Sequence, residues 1–197
     1  MKQTMKFLSV LALVFSFTAA TAQEVNQTKG DIAVLKEETS ISVEFTYNKM
    51  TVGDYGKEEN FIKTKKAEYN TKEPGKGDTW AVEWVSDRER KYHPMFIKAF
   101  NDGGKLEIKP DSKYTLIFNT DFVEPGYSVG VAKKNAQIDA TATIVETATK
   151  KVIAVFKIER AAESMWRGAA FDAATRIGQA YTLAAKKLAI YIKKNAK

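Results

Sequence analysis

Three patterns in this sequence predict an α+β two-layer sandwich. The expected fold is a mostly antiparallel sheet of four to five strands, with a long C-terminal helix and a helical insertion packed on one face. The first pattern lies in residues 168–194. Ala170, Ala174, Ile177, Tyr181, Ala184, Leu188 and Tyr191 recur at spacings of four and three, which sets them on one helical face. The second is strict alternation in residues 137–147 and 151–159. Ile138, Ala140, Ala142 and Ile144, then Val152, Ala154, Phe156 and Ile158, are expected to face inward on two strands. Only a few residues link these strands, so they should pair as a hairpin. The third is reciprocity: the alanines at 140, 142 and 154 match the alanine-rich stripe of the last helix, with Gly178 beside it. Small side chains on both partners let a helix lie close to a sheet.

The chain opens with the grammar of a secretory signal in residues 1–22. Lys2 and Lys6 form a positive start, residues 7–17 are apolar but too short to span a bilayer, and Ala20-Thr21-Ala22 offers the small residues of a cleavage site before Gln23. Residues 23–197 have the length of a single domain. A domain of that size buries about 70% of its unfolded surface. It can therefore fold without disulfides, and there is no cysteine. That absence removes thiol nucleophiles, thiolate metal sites and a lipid anchor on an N-terminal cysteine. No later run is apolar enough to cross a membrane. The expected location is exported, periplasmic or secreted.

Residues 23–30 read as polar and loose, and 31–36 as a short edge strand. In 40–48, Ile41, Val43, Phe45 and Tyr47 alternate with Ser42, Glu44 and Thr46, as in a strand with one buried face. Residues 57–70 read as a helix with Phe61, Ile62, Lys65, Lys66 and Tyr69 on a narrow face. Residues 73–77 break the chain. Asp78 is placed to cap a helix over 79–91, with Trp80 and Trp84 one turn apart. Pro94 should end that helix and open a short one over 94–101. In 113–123, Tyr114, Leu116, Phe118 and Phe122 should face inward.

Little in the residues signals a reaction. His93 is the only histidine, which excludes any metal site needing two, and it reads as a turn residue before Pro94. Paired carboxylates are the remaining common chemistry. Glu83, Asp87 and Glu89 could cluster on one helix, and Asp121 and Glu124 flank a strand end. Gly53, Gly56, Gly75, Gly77, Gly126 and Gly130 read as turn residues needing positive φ rather than as a phosphate cradle. Trp80, Trp84 and Trp166 fit either core packing or sugar-stacking platforms. No cofactor is implied. The chain carries +7, and after Asp172 it has no acid while Arg176, Lys186, Lys187, Lys193, Lys194 and Lys197 remain. These cations fit either a patch for acidic partners or the complement of a helix dipole. Nucleic acid is not implied, since no binding motif occurs.

Some segments resemble a known group. Residues 124–131 (EPGYSVGV), 94–101 (PMFIKAFN), and Phe171-Asp172 followed by Arg176-Ile177 and Ala180-Tyr181 resemble exported hypothetical proteins of Bacteroidetes. The order of elements resembles the small α+β domains of uncharacterised periplasmic lipoproteins. Those in turn are similar to the amino-terminal domain of the Tol-system translocation protein. The resemblance implies the fold and an envelope location, and it carries over no catalytic residue. This chain departs from the lipoproteins in lacking an acylated cysteine.

Two readings follow. One is a non-catalytic binding or interaction module of the cell envelope, whose partner is an unidentified envelope protein or polymer. The other is an envelope hydrolase using paired carboxylates. For the first, the expected recognition loop is residues 124–135. There Pro125, Gly126 and Gly130 shape the backbone, and Tyr127, Lys133 and Lys134 are the candidate binding residues.

Overall fold

A computed structural model describes residues 24–129, 132–163 and 172–197. The expected signal at 1–22, Gly130, Trp166 and the start of the last helical segment, with Ala170, lie outside these. In chain order the strands are β1 (Glu24–Gly30), β2 (Ser40–Thr46), β3 (Thr51–Val52), β4 (Glu107–Ile108), β5 (Tyr114–Glu124), β6 (Tyr127–Val129), β7 (Ala132–Lys134), β8 (Gln137–Glu146) and β9 (Val152–Ala162). The helices are α1 (Glu58–Lys72), α2 (Lys76–Asp87), α3 (His93–Gly103) and α4 (Ala173–Asn195), with a π-helical turn, Arg88–Tyr92, joining α2 to α3.

The fold is the expected α+β sandwich. Its sheet runs β1-β9-β8-β5-β2-β4, with β3 also paired to β5. Among the described residues it has seven strands. It exceeds the expected four to five through a polar edge strand and two strands of two residues. The pairs β5/β8, β8/β9 and β1/β9 are antiparallel, while β2 and β3 run parallel to β5. The parallel pair follows from connectivity. Parallel neighbours need a long crossover, and the helical insertion between β3 and β4 supplies it.

The last helix covers the sheet as its stripe predicts. Ala174, Ile177, Tyr181, Ala184 and Leu188 are all buried, opposite Ala140, Ala142, Ala154 and Phe156. Asp172 caps the helix by accepting the Ala174 N–H at 3.0 Å. Helix α3 packs beside α4 and fills the core with Phe96 and Phe100.

Several local expectations give way. Residues 31–36 are not a strand. Ile32 and Leu35 are both buried at a spacing of three, and Asp31 accepts the Ala33 N–H at 2.9 Å, which winds a 3-10 turn, Ala33–Leu35. The edge strand is the polar stretch before it. There β1 is held to β9 by main-chain pairing, which needs few apolar side chains. In β5 a bulge between Thr120 and Phe122 reverses the alternation. Thr120, before the bulge, keeps the inward side of Leu116 and Phe118 and bonds Tyr181 at 2.5 Å, while beyond it Val123 is buried and Phe122, expected inward, is only half-buried. A similar shift between Ile144 and Val145 leaves Val152 exposed instead of inward.

The helical insertion also differs. Helix α2 starts at Lys76, not after Asp78, and its N-cap is Gly75 in the left-handed region. Asp78 does not cap it. Its carboxylate reaches back to α1, to Lys66 at 2.6 Å and Asn70 at 2.8 Å. Gly77 is helical, not a positive-φ turn. A Cβ there would lie 2.0 Å from the Lys66 carbonyl oxygen, so glycine is what lets α1 and α2 approach. Pro94 does not break the chain. The His93 N–H donates to the Arg88 carbonyl, a wider π-turn, and helix continues through the proline into α3. Proline removes one helical hydrogen bond and crowds the carbonyl four residues back, and the wider turn lies over that carbonyl.

A candidate binding cleft at one end of the sheet

The parallel register of β3 with β5 sets the turn after β3 beside the end of β5. Helices α1 and α2 lie over that end, and the N-terminus of α4 closes it from below. Between them is a cleft of about 650 Å³.

One wall is aromatic. Phe61 of α1 is its hub, with ring centroids 5.1 Å from Tyr55, 5.6 Å from Trp80 and 4.7 Å from Trp84. Trp80 continues the array to Tyr69 at 5.5 Å. The wall is anchored to the sheet by a polar chain. The Trp84 indole N–H donates to Glu58 at 2.6 Å, and Glu58 also takes a hydrogen bond from Arg88. The Arg88 guanidinium lies 3.9 Å over the Tyr47 ring. The Tyr47 hydroxyl meets His93 Nε2 at 2.9 Å, and the His93 ring stacks on Phe45 at 4.0 Å. His93 is thus a packed link between insertion and sheet, not a turn residue. Burial pushes its pKa down, Glu89 opposes this, and Arg88 adds to it. Burial also pushes the Tyr47 hydroxyl far up and that of Tyr181 up to about 12, so neither is a base.

The facing wall is the loop that the sequence singles out. Strands β6 and β7 form a small hairpin in which Tyr127 opposes Lys134 and Ser128 opposes Lys133. Opposed residues share a face. Tyr127 and Lys134 line the cleft, while Lys133 does not; it lies over an adjoining depression with Asn135 and Gln137, which Lys134 and Glu124 also line. The structure therefore brings Tyr127 and Lys134 together in the cleft and sets Lys133 just outside it. Tyr127 is 47% exposed and does not tuck into the core. Lys134 pairs with Glu124 at 2.6 Å, and this hydrogen bond, with the Glu124 charge, raises its pKa. The turn is fixed from both sides. Glu124 accepts the Gly126 N–H at 3.0 Å, and Arg176 donates to the Gly126 and Pro125 carbonyls at 3.1 and 3.3 Å.

Among the described residues, five acids line the cleft: Asp54, Glu83, Asp87, Glu124 and Asp172. Glu83 and Asp87 line it, and Asp87 is held by Arg90 at 2.8 Å. Glu89 does not line it. Asp121 and Glu124 are in separate networks. Asp121 lies on the open sheet face, bonded to Thr141 at 2.5 Å and Asn119 at 2.6 Å, and does not join Glu124 in the cleft. The pKa of the Asp172 carboxyl is lowered. Burial raises it, but the hydrogen bonds of Lys91, Thr175 and the Ala174 amide outweigh this and hold it at about 2. Among the described residues no three acids or histidines gather to hold a metal.

Sequence reasoning missed Tyr55, Tyr69 and Arg176 as parts of this site. A signal for Tyr69 was present. Phe61, Lys65 and Tyr69 share a face of α1, and a short link to α2 sets that face against Trp80 and Trp84. Tyr55 and Arg176 depend on the parallel register and the α4 entry, which leave no local pattern.

No protein-family model matches the chain, and no curated protein matches it. Solved structures with partial likeness include a Xanthomonas campestris protein of the family DUF330. It is 20% identical with a TM-score of 0.37, over 53% of this chain and 60% of that one. The chain therefore spans 60% of that protein's length. PelC of Paraburkholderia phytofirmans, a dodecamer, is 14% identical in two structures. Their TM-scores are 0.33 and 0.34, covering 82% and 83% of this chain and 98% and 97% of PelC. Likeness of that order does not specify a function.

Proposed function

We propose that this protein is an exported, non-catalytic binding module of the cell envelope, and that the aromatic cleft is its recognition site. The observation that supports this best is the cleft's construction. An array of rings with Trp80 half-exposed at its edge faces Tyr127 and Lys134 across the gap. Rigid aromatic faces with polar groups around them are what recognition sites use, since rings supply contact area at low entropy cost. The cleft is open at its mouth, which suits an extended ligand such as a segment of an envelope polymer or protein. Export rests on the signal in residues 1–22, and intact mass of the processed protein should give a chain starting at Gln23. A mass that retains Met1 would contradict export.

The test of the cleft is a titration followed by tryptophan emission, with soluble peptidoglycan fragments and surface polysaccharides as probes. Wild type should bind at least one of them. Trp80→Ala and Tyr127→Ser should each weaken that binding by about tenfold or more, the scale of an aromatic contact at a binding hot spot. Unchanged affinity in both variants would remove the cleft from recognition.

The hydrolase reading keeps one supporting observation: Glu83 and Asp87, one helical turn apart, both face the cleft. Under that reading Glu83→Gln abolishes release of product from a bound polymer. Under the binding reading no product forms with either protein.

A further inference from the structure

We propose that the exposed lysine face of α4 seats the protein on an anionic phospholipid surface. The inner stripe of α4 is consumed by the core, so the helix cannot rotate or insert. Its outer stripe over the last three turns is Lys186, Lys187, Ile190, Lys193 and Lys194, all exposed, with Lys197 exposed beyond. Ile190 is 40% exposed and has a lysine at each of the positions three and four residues before and after it.

The helix dipole does not account for this stripe. It favours cations in the last turn, where Lys193 and Lys194 lie. Lys186 and Lys187 are two turns earlier, where that effect has faded. None of these lysines has an ion-pair partner among the described residues, and α4 itself contains no acid. The acid of the neighbouring helix α3, Asp102, is paired with Lys98 at 2.5 Å. The stripe is thus a field of one sign without counter-charge, and its complement is anionic.

The shape favours a flat surface over a chain-like polyanion. The lysines stand on the convex side of a rod, and a single apolar residue at the centre, Ile190, can rest at the headgroup boundary. Position along α4 adds a consequence. The cleft takes Ala174 and Arg176 from the start of the helix, so the centre of the lysine face, at Ile190, lies about 22 Å from it along the helix axis. A protein seated by this side of α4 would lie with the helix axis along the membrane, and the cleft would be displaced along the surface from the lysine contact. This inference does not depend on what the cleft binds.

The experiment is co-sedimentation of the protein with phosphatidylcholine vesicles, with and without phosphatidylglycerol, at low and high salt. Binding should require phosphatidylglycerol and be lost at high salt. Each lysine of the stripe changed to Gln should lower partitioning about fivefold, the effect of one cation near a charged surface. A variant with the same change at Lys29, Lys36, Lys63 and Lys151, exposed elsewhere, should retain more binding than one changed at Lys186, Lys187, Lys193 and Lys194. Equal loss in the two variants, binding to phosphatidylcholine alone, or no binding to either vesicle would overturn the proposal. So would capture by soluble dextran sulfate without vesicle binding, which would identify the partner as a polymer. Thermal melts of both variants should match wild type, since all eight side chains are exposed.

Discussion

His93 shows how one side chain ties the insertion to the sheet. It stacks on Phe45 and meets the Tyr47 hydroxyl, and its pKa is lowered by burial. The sign of the resulting pH dependence follows. The unfolded chain takes up a proton near pH 6.5, while the folded chain resists until lower pH. This group's contribution is intact above pH 6.5 and is lost as pH falls from there toward the folded pKa. Urea melts of wild type should lose stability on acidification through that range, and His93→Gln should remove part of the loss. Equal slopes for the two proteins would show that His93 does not titrate between the states. A second residue-scale prediction concerns Gly126. Its φ is +65° and an added Cβ would lie 2.5 Å from the Ala136 amide nitrogen, which is backbone and cannot swing aside. Gly126→Ala should cost on the order of 1–3 kcal/mol. Gly178→Ala should cost less, since the crowding atom there is the end of the flexible Met95 side chain.

At the scale of elements, legibility followed periodicity. Residues 137–147 and 168–194 have clean periods of two and of 3.6, and β8 and α4 match them. Leu188, central to the stripe, is fully buried, so Leu188→Ala should cost about 2–5 kcal/mol in urea melts. A loss below about 0.5 kcal/mol would show that α4 does not cover the sheet. The misread elements share a cause: their form depends on partners distant in sequence. Strand β1 is polar because β9 holds it by its backbone. The bulge in β5 is a register event between two strands, and nothing in residues 113–123 marks it. Gly77 read as a turn because its reason is the Lys66 carbonyl on another helix. Gly77→Ala should force α1 and α2 apart and loosen the aromatic wall. Its signature would be a larger loss of near-ultraviolet tryptophan dichroism than of helix content.

For the whole molecule, the sheet and α4 form a rigid frame whose end carries the cleft. The sequence pointed to residues 124–135 as a recognition loop, and the structure places Tyr127 and Lys134 in that cleft and Lys133 outside it. The opposite wall was less legible, because from the sequence Trp80 and Trp84 fit core packing better than a stacking platform. Both roles are realised one turn apart: Trp84 is buried and bonded to Glu58, while Trp80 is half-exposed at the cleft. The division follows from the lean of α2 over α1, which sequence periodicity does not report. The most direct test of the cleft as recognition site is amide and indole chemical-shift mapping during titration with soluble peptidoglycan fragments and surface polysaccharides. The account predicts perturbations concentrated at Tyr55, Tyr69, Trp80, Tyr127 and Lys134, with Thr141, Thr143 and Lys157 on the open sheet face unmoved. Perturbations centred on that open face, with the Trp80 indole unchanged, would contradict it.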